Sequence, residues 1–185
     1  MRVAYVCTDP GVPVFGAKGA SIHVQGVLGA LVRAGADVEL FAARTGGDAP
    51  PGVVAHDLGR PAPGDAARRE RALATRNGAL HMTAEGRLVN SEGYSVAGDI
   101  TIPTDAQHEA LVAAGPFDLV YERHALFAWA AMRYARGAGV PGVLEVNAPL
   151  VEEQAAHRSL VDRTAAEQAR RRALAAAGAV VAVST

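Results

Sequence analysis

A βαβ pattern at the start of the chain restricts the fold more than any other feature. Arg2–Cys7 is a short run rich in β-branched and aromatic residues, the mark of a strand buried on both faces. A Gly/Pro-rich loop from Asp9 to Gly19 follows, and then Val24, Val27, Leu28, Leu31 and Val32 recur at helical spacing. Gly35 stands where that helix would stop, Asp37–Ala43 reads as the second strand and Val53–Leu58 as a third. Strand, helix and strand of these lengths pair in parallel through a right-handed crossover.

The rhythm returns after residue 105. The spacing predicts a helix over Gln107–Ala114, a strand over Asp118–Glu122, a helix over Leu126–Arg136 stopped by Gly137 and Gly139, and a strand over Gly142–Val146. The stretch Val151–Ala177 reads as one or two helices, with Ser159-Leu160-Val161-Asp162 resembling a capping box that would start the second. Ala179–Val183 is a closing strand. A single doubly wound, six-stranded parallel α/β sheet accounts for these runs.

Residues 75–104 break the pattern. Arg76-Asn77-Gly78, Ala84-Glu85-Gly86 and Ser91-Glu92-Gly93 are turn signals at short intervals. Between and after them, Ala79–Thr83, Arg87–Asn90, Tyr94–Ala97 and Asp99–Pro103 read as short strands of a β-meander lying outside the main sheet. This is a β-rich insertion, not a linker.

Composition narrows the function classes. The 185 residues are half apolar, enough for one well-buried core and too few for two full α/β domains. A formal net charge of -1 gives no electrostatic footprint for nucleic acid. Cys7 is the one cysteine, so an internal disulfide is excluded and a reducing, cytoplasmic setting is expected. Neither a secretory leader nor an apolar stretch of roughly 18 residues is visible. The histidines (23, 56, 81, 108, 124, 157) are scattered, without metal-ligand spacing, so no metal constellation is visible.

In an open parallel sheet, ligands bind beyond the carboxyl ends of the strands, near the point where strand order reverses. The loop after the first strand holds Gly16, Lys18 and Gly19. Its glycines allow a tight turn, and the helix starting near Ser21 would aim free N–H groups at an anion. The same spacing also fits an ordinary turn with Ser21 as N-cap, and it is not the G-x-G-x-x-G fingerprint. His23, in the first helical turn, would bond a sugar hydroxyl or a phosphate, or else be a surface histidine. Glu122, Arg123 and His124 end a strand together: Glu and His could handle hydroxyl protons, and Arg could pair with an anion or close an internal ion pair. Glu145 interrupts an apolar strand, so it needs a partner, with Arg123 on the adjacent strand the first candidate. Asn147 offers donor and acceptor groups suited to sugar hydroxyls, and Pro149 fixes the chain beyond it. Cys7 reads as core packing and Arg170-Arg171-Arg172 as a solvated helix face.

Taken in order, these segments resemble a known family. Val3–Cys7, Gly16-Ala17-Lys18-Gly19-Ala20-Ser21-Ile22-His23-Val24, Leu28–Gly35 and Val38 are similar to the opening of the family 4 glycosyltransferases. Phe117-Asp118-Leu119-Val120-Tyr121-Glu122-Arg123, Gly139-Val140-Pro141 and Leu144-Glu145-Val146-Asn147-Ala148-Pro149 resemble its later strands. Ala179-Val180-Val181-Ala182-Val183-Ser184 resembles the strand before its interdomain crossover. The likeness spans about residues 1–74 and 106–185.

The resemblance implies the N-terminal, Rossmann-like half of a GT-B fold and retaining hexosyl transfer from a nucleotide-diphosphate sugar, without a metal or tightly bound cofactor. This half mainly holds a small-molecule or glycan acceptor, and its Gly16–Gly19 loop approaches the donor phosphates. The C-terminal donor domain, with its two glutamates, lies outside these residues, so turnover by the chain alone is not expected. Some members place a catalytic histidine where this sequence has Asn147, so no catalytic residue carries over. Peripheral contact with a membrane stays open.

Thr75-Arg76-Asn77-Gly78-Ala79-Leu80, Ala84-Glu85-Gly86-Arg87-Leu88-Val89, Ser91-Glu92-Gly93-Tyr94 and Ile100-Thr101-Ile102-Pro103 resemble flagellar rod and hook proteins. In that family such a piece is structural β-sheet, and its edges would offer a surface for self-association. Two other readings therefore stand beside the first. One is a nucleotide-binding Rossmann module of another class, such as a sugar-nucleotide epimerase. The other is a structural or engineered chimera without catalysis.

Overall fold

The computed structural model of the chain describes residues 1–59, 80–82, 88–90, 104–157, 160 and 163–183. Their elements run β1 (Arg2–Cys7), α1 (Gly19–Arg33), β2 (Asp37–Ala42), β3 (Val53–Asp57), β4 (Leu80–Met82), β5 (Leu88–Asn90) and α2 (Thr104–Ala114). They continue as β6 (Leu119–Arg123), α3 (Ala130–Ala138), β7 (Gly142–Val146), α4 (Leu150–His157), α5 (Arg163–Ala176) and β8 (Ala179–Ala182). Six strands form one sheet in the order β3-β2-β1-β6-β7-β8, every neighbouring pair parallel. This is a Rossmann-like α/β fold. The order reverses at β1, which lies between β2 and β6, and in open parallel sheets the carboxyl ends of the strands at such a point are where ligands bind.

Strand alternation sorts the core into two layers. Val3, Tyr5 and Cys7 of β1 face α1, packing with Val24 and Leu28. Ala4 and Val6 face the other way, onto Leu111 of α2, Met132 and Ala135 of α3 and Ala173 of α5. All five β1 residues from Val3 to Cys7 are buried, as a continuous apolar run demands. Each large side chain so covered contributes about 1.5–3 kcal/mol. The edge strand β8 is different: all four of its residues are exposed.

Helix ends follow local chemistry. Gly35 has φ +82, its N–H bonds the Val32 carbonyl, and the next N–H, of Ala36, reaches Leu31, closing α1 in a Schellman turn. The start of α1 differs from the sequence reading, because Ser21 lies inside the helix and Lys18 is the N-cap. The Ser21 hydroxyl instead donates to the Pro13 carbonyl at 2.6 Å and fastens the preceding loop. α3 begins at Ala130 rather than Leu126. Ala125, Leu126 and Ala128 are buried in an irregular turn with Phe127 at φ +63, so their apolar spacing serves core packing without a helix. Gly137 does not stop α3; Gly139, at φ +69, does.

β4 and β5 pair antiparallel as a separate two-stranded sheet, with Leu80 opposite Asn90. They match the expected pieces Ala79–Thr83 and Arg87–Asn90. Tyr94–Ala97 and Asp99–Pro103 lie outside the described residues, as do Ser159, Val161 and Asp162 of the expected capping box. Among the described residues, no helix is long and apolar enough to cross a membrane.

Candidate functional site

The register at the reversal point determines which polar groups meet. Arg123 lies opposite Cys7 on one side and Glu145 on the other, at the carboxyl ends of β1, β6 and β7. Alternation along β6 turns Tyr121 toward the α1 side, where it packs against the α1-facing cluster, and Arg123 shares its parity. Glu122 points to the opposite layer. A cluster of side chains from α1, β6, β7 and the two following loops results.

Glu145 is its centre. The side chain is 1% exposed. Its carboxylate accepts from the Tyr121 hydroxyl at 2.7 Å, Asn147 Nδ2 at 2.6 Å and His23 Nε2 at 3.0 Å. Burial alone would raise its pKa, but these bonds and the nearness of His23 outweigh it and hold the carboxyl below its ordinary value. An ionised carboxylate only accepts, so His23 Nε2 carries the proton of this bond. In the neutral ring Nδ1 is then an acceptor, on a side chain 37% exposed. Because α1 starts at Gly19, His23 stands in the second helical turn rather than the first.

Arg123 is not the chief partner of Glu145. Its Nε lies 4.0 Å from Glu145 Oε1, beyond hydrogen-bond reach, and Nη1 lies 3.7 Å from Asp9 Oδ2. The Nε is buried without a hydrogen bond. The guanidinium thus bridges two carboxylates electrostatically, with donors uncommitted to either. Beneath it the Tyr5 and Tyr121 rings stack with centroids 5.2 Å apart. Burial pushes the Cys7 thiol up to about 12, against the lowering effect of Arg123, so it stays protonated and is core packing as expected.

The glycine loop meets this cluster through Asp9, while Gly16, Lys18 and Gly19 bond within the loop and to α1. Gly16 closes a turn by donating to Pro13, and its carbonyl accepts from Gln25 Nε2 at 2.8 Å. A Cβ at Gly16 would meet Pro13 Cγ at 2.9 Å, so the position has little room for a side chain. Lys18 Nζ bonds the Gly11 carbonyl at 3.2 Å, and a Cβ at Gly19 would meet open space.

Glu122 and His124 take other places. Glu122 is fully buried and accepts the Met132 N–H at 3.3 Å, serving as a remote cap for the first turn of α3. Burial pushes its pKa up to about 7. It is a core group under a helix end, not part of the Glu145 cluster. His124 is 4% exposed and lines a cavity of about 350 Å³ beyond β7, together with Asn147 and Arg170. Gly16, Lys18, Gly19, His23, Arg123 and Glu145 do not line that cavity.

The expected residues therefore separate. His23, Arg123, Glu145 and Asn147 come together, Asn147 also borders the cavity with His124, and Gly16, Lys18 and Gly19 form the neighbouring loop. Tyr121 was missed by the sequence reading, although it shares a strand parity with Arg123. Arg170 lies on a helix face open to solvent, as expected, where it bonds Glu152 at 3.0 Å, and it also walls the cavity. The arrangement can accept hydroxyl hydrogens at His23 and Asn147 and present a cation at Arg123.

A family model of the flagellar hook protein FlgE/F/G D1 domain matches residues 67–116. The matched stretch contains β4 and β5 and runs on into α2, whose Leu111 is buried in the main core. No glycosyltransferase family model is matched. No curated protein matches the chain.

Proposed function

We propose that the chain is the acceptor-binding half of a metal-independent glycosyltransferase that uses a nucleotide-diphosphate sugar, with retention as the resemblance implies. One observation carries the reading. Glu145, buried at the end of β7 beside the reversal point of a parallel sheet, orients His23 and Asn147, whose remaining acceptor atoms suit sugar hydroxyls. Arg123 braces the cluster with a fixed positive charge between Asp9 and Glu145. The glycine loop at the start of α1 is the natural neighbour of donor phosphates, and the donor domain lies outside these residues.

Calorimetric titration of the chain with mono- and disaccharides tests this reading. Binding should weaken at least tenfold in His23→Ala and Asn147→Ala, with circular dichroism showing each variant folded at the titration temperature, since each also loses a bond to Glu145. The chain alone should transfer no sugar from a nucleotide-diphosphate hexose. If no saccharide binds wild type, or both variants bind as wild type does, the reading fails.

The FlgE/F/G D1 match favours a second reading, in which the insertion is a structural graft whose strand edges drive self-association. Removal of residues 75–104 should then convert an oligomer to a monomer in light scattering. A monomeric wild-type chain would rule that out.

A further inference from the structure

We propose that the hollow between the end of β7 and α5 receives the apolar portion of an uncharged amphipathic hydroxyl compound, whose hydroxyl end meets Asn147. This inference rests on the acceptor reading and names the acceptor class.

Asn147 is the hinge of the argument, because it belongs to both places. Its Nδ2 is fixed at 2.6 Å on Glu145 Oε1, the same oxygen that holds His23. No described group donates to its Oδ1. The residue also lines the cavity of about 350 Å³, at the small end of the roughly 300–1,000 Å³ usual for small-molecule sites. A ligand touching both must have a hydroxyl at one end and fill the cavity with the other.

The walls define that other end. Leu144, Val146, Pro149, Leu150, Leu174 and Val183 contribute apolar surface. Leu174 is 42% and Val183 40% exposed, so this surface faces water until something covers it. The polar members do not ask for charge. Arg170 Nη1 is already held by Glu152 at 3.0 and 3.1 Å. Burial, helped by Arg170 and Arg123, lowers the His124 pKa to about 4, so its ring is neutral near pH 7. A polar glycan would leave the apolar walls unmatched, and an anion would meet a guanidinium whose charge is already paired with Glu152. The walls come from the end of β6, from β7, the loop after it and the first residue of α4, from α5 and from Val183 after β8, an arrangement on several sides that suits an alkyl or aryl group better than a flat protein partner.

The test is titration of the purified chain with n-octyl β-D-glucoside below its micelle concentration and with methyl β-D-glucoside. Octyl glucoside should bind at least tenfold more tightly. Leu174→Gln and Val183→Gln, both at partly exposed positions, should each cut that difference at least threefold with circular dichroism unchanged. Equal affinities for the two glucosides overturn the inference, as does wild-type preference in both variants or failure of octyl glucoside to bind. If equal affinities both fall in Asn147→Ala, the acceptor reading survives its loss. If they are indifferent to Asn147→Ala, both ideas fall together.

Discussion

His23 donates from Nε2 to Glu145 Oε1 across 3.0 Å, joining the start of α1 to the end of β7 over 122 residues of sequence. Two further donors, Tyr121 and Asn147, finish the carboxylate, so the site depends on one buried charge that is well satisfied. Glu145→Ala would strand the Tyr121 and Asn147 donors and lose charge-assisted bonds worth about 1.5–3 kcal/mol each in isolation. Because the three share one acceptor and do not add, we expect about 3 kcal/mol of destabilisation in urea denaturation at pH 7. The folded pKa of Glu145 is lowered, so its contribution is present above the ordinary value of 4.5 and is lost as pH falls through the folded value. The gap between wild type and variant should narrow below pH 4.5. A gap that is constant from pH 3 to pH 7 would show that the carboxylate's charge does not matter.

Glu122 has the opposite sign. Its folded pKa of about 7 stands above the ordinary 4.5, so the folded state keeps a proton that the unfolded chain has released. Its contribution is full below pH 4.5 and is lost as pH rises to about 7. A shift of this size is on the order of 3 kcal/mol between those limits. Glu122→Gln keeps the acceptor for the Met132 N–H and cannot ionise. Relative to wild type it should therefore gain stability progressively from pH 4.5 to pH 7 and stay level above. Taking the difference between the two proteins removes the opposing titration of His124, whose lowered pKa makes stability rise with pH between about 4 and 6.5. Parallel pH profiles would refute the assignment.

How far the sequence disclosed these arrangements depends on the range of the forces involved. The sheet was legible because β1 is a continuous apolar run, β2, β6 and β7 each hold a short apolar stretch between helical segments, and Gly35 ends α1 through its own backbone freedom. The start of α3 was not legible. Leu126 and Ala128 are apolar because the core surrounds them, and helical spacing imitates that burial. Strand-end position pointed to Arg123, Glu145 and Asn147, and the early turns of α1 to His23, four side chains that do come together. Position was not enough to apportion their bonds. Charge pairing favoured Arg123 as the partner of Glu145, but the side chains that reach the carboxylate are Tyr121, Asn147 and His23, which depends on strand register and loop course. Glu122 looked like a site residue because its neighbours are polar, whereas alternation sends it under α3.

Gly46 and Gly139 offer a comparison of strain with and without a steric neighbour. Both have positive φ, +74 and +69, so an L side chain at either one is unfavourable in the backbone alone by about 1 kcal/mol. A Cβ at Gly139 would meet nothing within 4 Å, and Gly139→Ala should cost only that amount. At Gly46 the added carbon would lie 2.5 Å from Pro13 Cβ, part of the loop that Ser21 fastens and that Gly16 closes. Pro13 cannot swing aside, because its ring is rigid and its carbonyl accepts from both Ser21 and Gly16. Gly46→Ala should therefore cost about 3 kcal/mol, the added part being overpacking. It should also disturb the loop that approaches the proposed donor, whereas Gly139→Ala at the far end of α3 should leave saccharide binding as it is. Chemical denaturation separates the two costs and calorimetry the two effects on binding. Equal destabilisation by the two substitutions would mean that the loop yields to the new methyl group and that Pro13 is not a fixed part of the site.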